Sequence, residues 1–145
     1  MTLSNLLFQG LLGMCVTVGF AMLFNVPRKL LVYCAIIGAV GHVARVSLRL
    51  LNASPELSAF FAAFSVGVIG YWVAHKLHQP RLVFTVTGII SMVPGIPAYE
   101  TIIYFSRNDI LSGLQSGIRA GLITGAIAVG LSTARLITEV DDPRG

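Results

Sequence analysis

Five apolar runs, each about twenty residues long, succeed one another along this chain with only short polar connections between them, and a run of that length is what a helix needs to cross about 30 Å of hydrocarbon. They cover approximately Leu3 to Phe24, Leu30 to Leu51, Leu57 to Ala74, Leu82 to Phe105 and Gly113 to Ala134. Composition agrees: 55% of the 145 residues are hydrophobic and 11% charged, against about 25% charged in a soluble domain. The expected fold class is an all-α integral membrane protein with about five transmembrane helices, residues 1–145 forming one transmembrane domain.

The fourth run contains its own interruption. Val93 to Glu100 reads VPGIPAYE, and Pro94 and Pro97 cannot both sit inside a continuous helix. In hydrocarbon, irregular backbone survives only where it is buried in protein or lines a wet cavity, so a span broken at 94–97 points to function. Pro94 ends the first half, Gly95 permits strained or closely approached backbone, and Pro97 suits the first turn of a second half-helix. That half-helix is expected to present free N–H groups and a positive dipole end near mid-membrane, an arrangement that attracts a carboxylate. A proline kink used only for packing is the competing reading. Tyr99 follows closely enough to reach a bound acid, or simply to pack.

Charge sets the orientation. Arg28 with Lys29, Lys76 with Arg81, and Arg135 with Arg144 fall on one side of a five-span arrangement, which places the N-terminus outside and the C-terminus in the cytoplasm. If the broken run were a re-entrant hairpin, four spans would remain and Arg135 would change sides. Tyr71 with Trp72 and Tyr104 with Phe105 close spans at headgroup depth and are expected to be anchors. The net charge of +4 comes from scattered basic residues, so nucleic acid is not expected as a partner. Cys15 and Cys34 lie in apolar runs and are read as small hydrophobes. The first run lacks a signal peptide's basic start and is expected to remain as a helix. His75 and His78 lack a third ligand, so neither metal nor cofactor is expected. Without a nucleophile–base pair or phosphate loop, an enzyme is not expected either. The tail from Glu139 to Gly145 is expected to be frayed.

Three charges lie inside spans, where each costs about 2.5–3.5 kcal/mol at the helix centre: Arg45, Glu100 and Arg119. At about 1.5 Å rise per residue they fall at similar depths, roughly 8–9 Å inside their spans. One reading is a charged layer facing the bundle interior, with Glu100 compensating one arginine and the other free for an anion. The other is snorkelling to the headgroups. His42 shares the Arg45 face, three residues earlier, and Arg49 continues it. Gly113, Gly117, Gly121 and Gly125 recur every fourth residue, a small face for close helix packing within the bundle or against a second chain.

The segments VGFAMLFNVPRK, GAVGHVARV and VFTVTGIISMVPGIPAYE resemble the small subunits of the two-component threonine/serine exporter family, most nearly its enterobacterial succinate-export branch. The resemblance covers most of the chain. It implies a larger membrane subunit as obligate partner, a site in the bacterial inner membrane, and functional weight on Pro94 to Tyr99 and on Gly41, His42 and Arg45. It says nothing of Glu100 or Arg119.

The combined expectation is a subunit exporting a small carboxylate, succinate first, through a binding set of His42, Arg45, Gly95, Tyr99, Glu100 and Arg119. The alternatives are threonine/serine export and a non-transporting scaffold for the larger subunit. A passive pore is disfavoured by the absence of a repeated polar lining. The lipid bilayer and a possible higher oligomer complete the expected partners.

Overall fold

The computed structural model describes residues 3–140. The apolar runs become helices: α1 (Leu3–Leu23), α2 (Arg28–Leu50), α3 (Pro55–Leu77), α4 (Arg81–Ile89), α5 (Gly95–Ser106) and α6 (Ile110–Val140), with one 3₁₀ turn at Ile90–Met92 after α4. Four of these are long and apolar enough to cross a membrane. The α4 segment through Met92 and α5 pass the same test as a pair, bent by 53°. The chain is a multi-pass membrane protein whose fourth span is broken where the two prolines fall.

The helix ends repeat one device. Asn25, Asn52, His78 and Asn108 take left-handed φ values of 56°, 58°, 51° and 58°. Each reverses the chain at the end of α1, α2, α3 or α5. The amides that follow bond back in the 6→1 and 5→2 pattern, as in Val26 N–H to the Ala21 carbonyl and Asn25 N–H to the Met22 carbonyl. The free carbonyls of the last turn are thereby satisfied, which a helix end near the membrane requires. At the opposite ends, the Ser54 hydroxyl accepts from the Leu57 amide with Pro55 opening α3. The Asp109 carboxylate accepts from the Ser112 amide to start α6.

Glycines fix how the helices cross. An added Cβ on Gly38 would collide with the Thr17 side chain, and one on Gly13 would lie 2.8 Å from His42 Cβ, so α1 and α2 run antiparallel in close contact. Gly88 meets Val66 at 2.8 Å and Ile37 at 2.9 Å, seating α4 against both α3 and α2. Gly130 lies against the Phe60 carbonyl and Gly67 against Ala134, which makes α6 parallel to α3. That direction is the one expected if α4 and α5 together traverse from one end of the bundle to the other. A hairpin returning to its starting side would have set α6 antiparallel to α3.

Phe84, Ile37, Met92, Val66, Thr17, Thr87, Cys34 and Ser58 are the largest fully buried side chains and mark the centre of α1–α4. The outside carries Leu7, Phe8, Leu11, Trp72, Ile102 and Leu114, an apolar surface suited to lipid tails. Helix α5 stands apart: it has no buried residue and packs chiefly on α6.

Two expectations need correction, and a third is refined. Helix α6 does not stop at Ala134 but continues to Val140, because Glu139 is held by Arg135 Nε at 2.8 Å and by Arg81 Nη1 at 3.5 Å instead of fraying. The rest of the predicted tail, 141–145, lies outside the described residues. Gly95 has ordinary φ and open space around its Cβ position, so neither strain nor close approach requires glycine there. The four-residue glycine stripe divides: Gly113 and Gly117 receive Phe105 and Thr101 of α5, while Gly121 and Gly125 have nothing within 4 Å. The tightest contacts of α6 with the rest of the bundle occur instead at Gly130 and Ala134.

Candidate functional site

The break is built from few bonds. After Met92 the Val93 amide bonds to the Ile90 carbonyl at 3.3 Å, closing the 3₁₀ turn. Pro94 (φ −77°, ψ 65°) then forms an inverse γ-turn, in which Gly95 N–H donates to the Val93 carbonyl at 2.8 Å. Ala98 N–H bonds to the Pro94 carbonyl at 3.2 Å, and Pro97 has no N–H to leave unpaired. Among the described residues the new half-helix therefore offers one free amide, that of Ile96. The group of free donors expected there shrinks to this one because the γ-turn consumes the Gly95 amide.

The carbonyl end of the first half is engaged more strongly. Arg45 Nη1 donates to the Met92 carbonyl at 2.7 Å, a charge-assisted bond at the negative end of a helix. Arg45 reaches it because Gly41, one turn earlier on the same face, lets α2 lie against the Met92 side chain; an added Cβ would sit 2.5 Å from Met92 Cε. Arg45 is half-buried and turned into the bundle, not towards the headgroups. Among the described residues this is its one hydrogen bond, so most of the planar fork stays unengaged beside the break.

His42 adds a second polar contact. Its Nε2 shares a hydrogen bond with the Gln9 side-chain amide of α1 at 3.1 Å, its direction set by the ring tautomer. The Ser91 backbone lies against the same ring. Among the described residues two buried side-chain atoms lack a hydrogen-bond partner, His42 Nδ1 and Ser91 Oγ, and both belong to this cluster. Buried polar atoms are nearly always paired, so two orphans in one place mark a polar site. Gln9, His42, Arg45, Ser91 and the Met92 carbonyl thus form one cluster where α1, α2 and the break meet.

The remaining predicted residues lie elsewhere. Tyr99 is 65% exposed and faces away from the bundle, and Glu100 is half-buried on α5. Arg119 is exposed on α6, beside a cavity of about 240 Å³ lined also by Tyr104, Ser112, Gln115 and Ser116. No ion pair joins Glu100 to Arg45 or Arg119 among the described residues, whose salt bridges are those of Glu139. Equal depth along the helices did not bring the three charges into contact, because α5 leaves the bundle at the break.

Sequence reasoning missed Gln9, Ser91 and the Met92 carbonyl. The first two carried a signal, since each is an uncharged polar residue inside an apolar run. A backbone carbonyl carries none.

The chain belongs to the threonine/serine exporter (ThrE) family, which it matches over residues 9–137. It is also 38% identical over 141 residues to an uncharacterized protein of Haemophilus influenzae. That alignment covers 92% of this chain but 48% of the relative, so the chain spans about half the length of the curated relative it matches. No solved structure matches it. The family is described as one of threonine/serine exporters.

Proposed function

We propose that the chain is the smaller component of a two-part exporter in the bacterial inner membrane, and that it moves small carboxylates past the broken span, with succinate the first candidate. The observation that carries this reading is the Arg45 guanidinium, held to the Met92 carbonyl by one N–H with the rest of its fork unengaged. Arginine can grip a carboxylate through two parallel N–H groups. The Ile96 amide at the start of α5 and the His42–Gln9 pair supply further polar contacts nearby. Glu100 and Arg119, on the α5–α6 pair, come into play where that pair meets the larger component.

Threonine and serine are the second reading, favoured by the family's own description. In that case Glu100 faces the α-ammonium group and an arginine the carboxylate. The larger component is supported by the relative's length, about twice that of the matched region. The outward Gly121 and Gly125 offer it a close-packing face.

The test is efflux of succinate and of threonine from cells expressing both components, with Arg45→Ala and Glu100→Gln variants. Loss of efflux in Arg45→Ala supports the site. Selective loss of threonine efflux in Glu100→Gln assigns the amino-acid reading, and undiminished efflux in both variants overturns the site.

A further inference from the structure

Helices α4 and α6 both lean on α3 and leave between them a cleft of about 530 Å³, distant from the break and floored by Gly67 and Tyr71. The volume lies within the range of about 300–1,000 Å³ common to small-molecule sites. At its rim two arginines converge on a single carboxylate oxygen: Arg135 Nε donates to Glu139 Oε1 at 2.8 Å, and Arg81 Nη1 lies 3.5 Å from the same atom. The Arg81 guanidinium rests over the Tyr71 ring, 4.7 Å from its centroid, a cation–π contact. Arg81 opens α4 and Thr85 lines the cleft one turn on, so the nine residues of α4 lead from here towards the break.

The charge balance is uneven. Each guanidinium presents five N–H donors, yet among the described residues they together spend two, on one oxygen of one carboxylate. The trio keeps one net positive charge and a surplus of donors beside a cleft of ligand size. Arg81 and Glu139 remain partly exposed, at 37% and 42% of their side chains, so an incoming anion can reach them.

We propose that this cleft is an anion site for a small dissolved carboxylate, bound by Arg81 and Arg135, with Glu139 an internal counter-ion that the ligand replaces. The choice of carboxylate rests on the exporter reading, but the site is independent of Arg45. A lipid headgroup phosphate offers the same oxyanion chemistry, and the experiment separates the two.

Succinate binding to the full chain in phosphatidylcholine nanodiscs is measured by calorimetry, for the native protein, Arg81→Gln/Arg135→Gln, Glu139→Gln and Arg45→Ala. The expected result is saturable binding that weakens by roughly tenfold or more in the double arginine variant. Glu139→Gln tightens it, a gain that a misfolded protein would not show, and Arg45→Ala leaves this dependence in place. Succinate binding that is indifferent to Arg81, Arg135 and Glu139 overturns the proposal. So does a failure to bind succinate together with retention, by native mass spectrometry, of an anionic phospholipid that the double variant releases. If Arg45→Ala exports normally while the cleft binds as described, the proposed transport site fails and this one stands.

Discussion

Arg45 and Met92 are joined by a 2.7 Å hydrogen bond from the guanidinium to the backbone carbonyl, which ties the last third of α2 to the end of the 3₁₀ turn before the break. The bond neutralises a helix end that has lost its own continuation. It also fixes a positive charge inside the span, where charge is tolerated best with a partner.

Replacing Arg45 by alanine should therefore do two things. It leaves the Met92 carbonyl unpaired, at a cost of about 1–3 kcal/mol, read as a lower melting temperature in detergent. It also abolishes efflux. Arg45→Lys restores one donor, so it should recover much of the stability but little of the transport.

Glycine positions should separate sharply by what surrounds them. Gly38→Ala and Gly130→Ala force a Cβ against Thr17 and against the Phe60 carbonyl, and overpacking of this kind costs about 1–3 kcal/mol. Gly121→Ala and Gly125→Ala meet open space and should leave the melting temperature unchanged. Leucine at the last two positions should preserve this chain's own fold while reducing co-purification of the proposed larger component.

The two prolines distinguish a carrier from a scaffold. With Pro94→Leu and Pro97→Ala the segment regains the N–H donors for a continuous helix. Retained assembly with lost efflux supports transport through the break. Lost assembly, measured by pull-down of the proposed larger component, supports the scaffold reading.

At the α5–α6 corner, Asp109 acts as a cap whose strength depends on pH. Its carboxyl pKa is held below the ordinary 3.8 by hydrogen bonds from the Ser112 hydroxyl and amide. A depressed carboxyl pKa means that the cap contributes fully above the ordinary value and is lost as pH falls below it. Hydrogen exchange at the Ser112 and Gly113 amides should therefore quicken relative to neighbouring sites in acid. Asp109→Asn, an equally good cap, should remove that dependence.

Much of the fold was written in hydrophobicity. Runs of the right length gave the spans, and Pro94 with Pro97 located the break to the residue. The helix ends were legible in part: prolines marked the corners, but the asparagines that turn them went unread, although a left-handed position favours that side chain. The site was harder to read. His42 and Arg45 were found because charge and imidazole stand out in an apolar helix. Their partners were not, since Met92 contributes only its backbone and Gln9 belongs to another helix. Glu100 and Arg119 were grouped with Arg45 by depth alone, a coordinate that ignores the direction in which a bent span departs.

The γ-turn at Pro94 has a mechanical meaning. Among the described residues, one backbone hydrogen bond, from Gly95 to Val93, connects the two halves of the fourth span. The halves are thus two rods on a single pin, and the 53° between them is set by what each rod rests against: α4 on α2 and α3, α5 on α6. A change in that angle therefore breaks no helical hydrogen bond.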